Sequence, residues 1–169
     1  MNPEPNEEIK EFKDIIENIH TAILFTRAKK NEWKGRPMAT MKVDDKGSFW
    51  FFTDEFSNKV EEIWKNNEVE INYSNLTGNA YIRVTGKAYL SRDINKINEL
   101  YSPFVQTWLP GGLNDPNLLL LRIEPQEIEY YYNGKSTHNI PQSKMLSHLI
   151  NPPKYIDHIR ENANLNVAY

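Results

Sequence analysis

Arg36-Pro37-Met38-Ala39-Thr40-Met41-Lys42-Val43, then Asp44-Asp45-Lys46-Gly47, then Ser48-Phe49-Trp50-Phe51-Phe52-Thr53, is the stretch on which the fold turns. Its first arm alternates, with Ala39, Met41 and Val43 on one face and Arg36, Met38, Thr40 and Lys42 on the other, as a half-buried strand does. Two aspartates, a lysine and a glycine supply turn chemistry, and the aromatic run that follows is a returning strand. The unit is an antiparallel hairpin.

Working outward, residues 21–27 are β-branched and aromatic and read as a strand, and residues 29–35 are polar, end in glycine and read as a loop. Before them Phe12, Ile15, Ile16 and Ile19 recur at helical spacing within residues 4–20, behind an acidic front that suits a helix start. Downstream, Phe56, Val60, Ile63 and Trp64 predict a short helix packing one stripe, with Ser57-Asn58-Lys59 at its front. Val69, Ile71 and Tyr73, a turn over residues 75–79 and alternating residues 81–90 make a second hairpin. Ile94, Ile97, Leu100 and Tyr101 give another helix, a proline- and glycine-rich loop follows, and strands are expected over residues 118–123 and 128–132. The total of about six strands in hairpin order with peripheral helices describes a mainly β, α+β barrel rather than a doubly wound sheet. Residues 1–135 are expected to form that domain and residues 136–169 a C-terminal extension docked on it or trailing from it.

The 169 residues carry a formal charge of -3 with 39% hydrophobic and 25% charged side chains, the balance of a soluble globular domain. That field does not recruit nucleic acid, and no apolar run is long enough to cross a bilayer. The chain has no cysteine, which excludes thiolate metal sites and a cysteine nucleophile and fits a reducing compartment. With no basic and apolar leader at the start, the cytoplasm is the expected location.

His20, His138, His148 and His158 show no metal-ligand spacing, no nucleophile elbow is present, and the Glu61-Glu62 pair reads as a solvated helix face. One constellation is more informative. Arg36 and Thr40 share a strand face, Thr53 ends the partner strand, and Ser57, Asn58 and Lys59 open the next helix. A helix start with free N–H groups, an arginine fork and a lysine point charge make a cradle for a phosphate monoester. Met38, Ala39 and Phe52 beside it offer a flat ring an apolar wall. The spacing alone leaves open the plainer reading of a snorkelling arginine, a capping serine and a solvated lysine.

The runs Gly35 to Thr40, Phe49 to Thr53 and Ser57 to Val60 resemble the opening of the pyridoxamine 5'-phosphate oxidase-like flavoproteins, in their general stress protein branch. Trp108-Leu109-Pro110-Gly111-Gly112, followed by Asp115-Pro116 and the strand at 118–123, is similar to a loop of that branch, and Arg83 to Ala88 agrees. The resemblance implies an FMN-binding split β-barrel and a homodimer with FMN at the interface. It implies that residues matching Arg36, Ser57, Asn58 and Lys59 hold the phosphate and ribityl chain, and that Met38, Ala39, Thr40, Phe52 and Thr53 line the ring, with Trp108 approaching from the partner. Related barrels also carry deazaflavin or haem, though no histidine lies in the matched core as a haem ligand. The substrate-phosphate clamp of true pyridoxamine phosphate oxidases is missing, because Tyr101 is followed at four-residue steps by Val105 and Leu109. The implied function is an FMN-dependent oxidoreductase acting on a small molecule or, alternatively, a non-catalytic flavin-binding or sensing protein in stress response.

Overall fold

The computed structural model describes residues 15–75, 80–132 and 135–141. Seven strands form one antiparallel sheet: β1 (Thr21–Lys29), β2 (Glu32–Val43), β3 (Phe49–Asp54), β4 (Glu68–Asn75), β5 (Ala80–Ser91), β6 (Leu118–Tyr132) and β7 (Lys135–Pro141). Their order is β3-β2-β1-β4-β5-β6-β7, and β3 also pairs with β6, so the first six strands close into a barrel with β7 as an added arm. Helix α1 (Asn58–Lys65) follows β3, whereas α2 (Ile94–Leu100) and α3 (Val105–Trp108) fill the β5–β6 connection. The expected barrel of about six antiparallel strands with peripheral helices is the fold observed.

Apolar side chains sort into two clusters. Leu24, Phe49, Phe51, Ile71, Tyr73, Ile82, Leu121 and Ile123 fill the barrel, joined by Ile15 and Ile16 from the helical residues 15–19. Trp50, Phe52, Leu118 and Leu120 point outward, against Ile97 and Leu100 of α2 and Val105 of α3. Strand β3 thus runs between two layers, with Phe49 to Thr53 all buried. Its unbroken apolar run is the mark of a strand covered on both faces.

Several local expectations are corrected. Residues 29–35 are no loop: β1 and β2 meet in a tight turn in which Asn31 adopts φ 66°, and pairing continues from Lys29↔Glu32 onward. Val43 does not share a face with Ala39 and Met41. The register on β3 shifts between Thr40 and Lys42, so Met41 is an extra residue and the alternation reverses beyond it. Met38 and Val43 therefore both enter the interior. The strands expected at 118–123 and 128–132 are one, β6, carried past a register shift opposite Thr85 and Gly86. A β-carbon at Gly86 would run into the Glu124 carbonyl oxygen, so glycine is required where the strands approach. Strand β7 crosses the expected domain boundary at residue 135, and residues 142–169 lie outside the described ones. No helix among the described residues is long and apolar enough to cross a membrane.

Candidate functional site

Ahead of the bulge, Pro37, Ala39 and Met41 share the face of β2 opposite Met38, and there they meet Phe52 and Thr53 of β3. With Met38, Asp54, Lys59 of α1, and Val105 and Leu109 of the α3 region they enclose a slot of about 250 Å³. Five of the sequence-predicted residues are thereby brought together: Met38, Ala39, Phe52, Thr53 and Lys59. Most lining side chains are apolar, and the polar ones, Thr53, Asp54 and Lys59, come from the end of β3 and the start of α1, a lining that suits a ring with a charged tail.

Lys59 is the chemically distinctive member. Its ammonium is half-buried, lines the slot, and makes no hydrogen bond or ion pair among the described residues. Burial pushes its pKa below the ordinary lysine value, the Arg36 guanidinium adds to that, and the Asp54 and Glu62 carboxylates act the other way. With those carboxylates acting only at a distance, the half-buried ammonium keeps its N–H donors for an incoming anion.

Arg36, Thr40, Ser57 and Asn58 are not among the residues lining the slot. Ser57 is the N-cap of α1, yet its hydroxyl donates to the Asp54 carbonyl at 2.7 Å and lies 3.4 Å from the Thr53 hydroxyl instead of capping an amide of the helix. Asn58 is exposed at the first helical position. Thr40 meets the phenol of Tyr73 at 2.8 Å, and burial raises the Tyr73 pKa well above the ordinary tyrosine value. Trp108 ends α3, and its side chain lies outside the described residues.

Arg36 has other partners. One of its terminal nitrogens donates to both carboxylate oxygens of Glu62, at 2.8 and 2.7 Å, and the other to Thr26 Oγ1 at 2.6 Å. Thr26 Oγ1 in turn donates to Glu62 Oε2 at 2.5 Å, closing a triangle. Glu62 is only 9% exposed, so it does not belong to the solvated face expected for Glu61-Glu62. The predicted stripe on α1 fails correspondingly: Phe56 and Trp64 are 77% and 75% exposed, while Val60, Glu62 and Ile63 face inward. Glu62 is the residue that sequence reasoning missed, and its only signal was that an arginine and a threonine on β2 and β1 needed a partner.

A larger open groove of about 910 Å³ lies beside Trp50, lined by Lys42, Lys46, Lys96 and Arg122 together with five acids. Its charges largely answer one another. Lys42 and Lys96 share Glu99, and Arg122 pairs with Glu124. Trp50 Nε1 donates to Asp44 at 2.8 Å. The smaller slot, with its unanswered cation, is the better ligand site. Among the described residues no cluster of histidines or acids is placed to hold a metal ion.

Residues 7–150 match the family described as pyridoxamine 5'-phosphate oxidase like. General stress protein 26 of Bacillus subtilis (strain 168) is 34% identical over 88 residues, which are 50% of this chain and 62% of that protein, so the chain matches less than two thirds of this relative's length. A Clostridium acetobutylicum protein related to it superposes with a TM-score of 0.71 at 18% identity, covering 83% of this chain and 98% of that one. The general stress FMN/FAD binding protein of Xanthomonas citri superposes with a TM-score of 0.65 at 24% identity, covering 78% and 92%. At these identities the two structural likenesses speak for the fold.

Proposed function

The chain belongs to the pyridoxamine 5'-phosphate oxidase-like family, and on that premise we propose that it is a cytoplasmic flavin-binding protein that takes FMN in the slot between β2, β3 and α1. The observation that carries this reading is the Lys59 ammonium, which lines a mostly apolar slot and makes no hydrogen bond or contact ion pair among the described residues. In it Lys59 and the first N–H groups of α1 hold the phosphate, whereas Met38, Ala39 and Phe52 flank the ring. The binding of a flavin named for the Xanthomonas citri relative is consistent with it.

At about 250 Å³ the slot is smaller than most ligand pockets and would leave much of a flavin wet. A second copy of the chain supplying the missing wall fits that shortfall, and Ile23, Tyr81 and Tyr131 give the barrel partly exposed apolar side chains outside the slot. Bound flavin would supply electron transfer to a small molecule. Val105 and Leu109 face the slot where the oxidases hold a substrate phosphate, so pyridoxamine phosphate oxidation is not the proposed activity. Among the described residues the ionisable side chains lining the slot are Asp54 and Lys59, a lining that suits a second reading as a flavin-binding or sensing protein without turnover.

Titration of the purified protein with FMN, followed by flavin absorbance and sedimentation, tests the proposal. Micromolar or tighter binding with a two-chain mass is expected; no binding, or flavin bound to a single chain, overturns the corresponding part. Anaerobic bleaching by NAD(P)H with reoxidation in air separates the enzyme from the binder.

A further inference from the structure

The Arg36–Glu62–Thr26 triangle borders the slot without lining it, and its charges reach Lys59. Around that end stand two cations, Arg36 and Lys59, and two carboxylates, Asp54 and Glu62. The corner is formally neutral, whereas a phosphate monoester brings close to two negative charges at neutral pH. Arg36 is the natural grip for such a group, being a planar fork with paired donors. Glu62 has already taken both donors of one terminal nitrogen, with Thr26 locking the arrangement.

Resting on the reading of the slot as a flavin site, we infer that Glu62 is a specificity-determining residue. By holding Arg36, it limits the advantage of a ring ligand that carries a phosphate over the same ring without one. Lys59 alone then distinguishes the two. An ion pair closed on itself contributes little net field, so neutralising only its acid releases a full positive charge beside the ligand tail. At a separation of about 8 Å and an effective dielectric near 20, one unit charge changes binding of a singly charged group by about thirtyfold before salt screening, so about tenfold is the expectation at ordinary ionic strength. An uncharged tail feels almost none of it.

Riboflavin and FMN dissociation constants are compared by fluorescence quenching for the wild type, Glu62→Gln and the double variant Arg36→Met/Glu62→Leu. The double variant replaces the pair by apolar side chains of similar length, a change that buried ion pairs commonly tolerate. Glu62→Gln is expected to raise the preference for FMN over riboflavin about tenfold while lowering the thermal midpoint, and the double variant to keep the wild-type preference. Loss of both affinities together in Glu62→Gln, or an unchanged preference, would show that Glu62 only positions α1 and would overturn the inference. A selective loss of FMN in the double variant would overturn it too, by showing that Arg36 grips the phosphate directly. Should Glu62→Gln not fold, Arg36→Met takes its place: it strips the pair of its cation and should lower the preference for FMN about tenfold while the double variant keeps it, and an unmoved preference in Arg36→Met overturns the inference. A wild type that binds neither flavin defeats the functional reading and this inference with it, an outcome distinct from flavin binding with an unmoved preference.

Discussion

Trp50 and Phe52 sit two residues apart on the same face of β3, and each borders a hollow, yet the hollows differ in kind. Over Trp50 the groove is roomy and its charged lining is paired, with Lys96 stacked 5.0 Å from the indole and held by Glu99. Over Phe52 the slot is tight and mostly apolar, and its lysine makes no hydrogen bond or contact ion pair among the described residues. Size therefore says less about binding than whether the charges are already answered within the chain. Paired charges at a surface contribute little to stability and ask for nothing, whereas a half-buried lone ammonium costs the fold and repays it only when an anion arrives.

The sharpest way to break this comparison is to truncate both aromatics. Phe52→Ala and Trp50→Ala should each lower unfolding free energy by about 3–5 kcal/mol, measured in urea, because both are buried in the outer cluster. Only Phe52→Ala should also weaken flavin binding, and equal losses in titration would remove the distinction. Next in size, Lys59→Ala should cost about 1.5–3 kcal/mol of FMN affinity and leave riboflavin unmoved. Lys96→Ala is the control on the groove side and should leave both ligands unmoved.

A pH series sharpens the same point. The Lys59 pKa in the fold lies below its unfolded value of 10.5, through burial first and Arg36 second. The charged form is thus the costly one at neutral pH. That cost is relieved as pH climbs from the lowered value toward 10.5, so the group's contribution to stability rises over that window. FMN affinity, which needs the charged form, should fall over the same climb, below the ordinary lysine range, while riboflavin affinity stays flat. Smallest of all, Glu99→Gln should leave the urea midpoint nearly unmoved and flavin binding unchanged, since its ion pairs with Lys42 and Lys96 lie at the surface and are screened by solvent.

Much of the barrel was legible in the sequence because its hairpins advertise themselves by alternation and turn chemistry, as at Asp44 to Gly47 and in the residues flanking it. The bulge was not. Nothing in Thr40-Met41-Lys42 marks an extra residue, since a bulge is imposed by register with β3 and not by local preference. On α1 the apolar stripe misled, because the surface it packs against contains Arg36 and Thr26, and a carboxylate answers them better than a tryptophan does. The slot walls at Met38, Ala39, Phe52 and Thr53, and the lysine at 59, were readable because neighbouring strands and the helix start after β3 fix their places. The commitment of Arg36 was not, because it depends on a residue 26 positions away.

Strand β3 is bonded to β2 on one side and to β6 on the other, and is covered above and below by the two apolar clusters. The amide protons of Phe49 to Phe51, paired on both sides, should exchange with deuterium only when the whole domain opens. The wall that carries Phe52 runs straight on from that protected segment and stays bonded to β6, a fixed anvil for the ring, so adjustment on loading falls to the helix turn that bears Lys59.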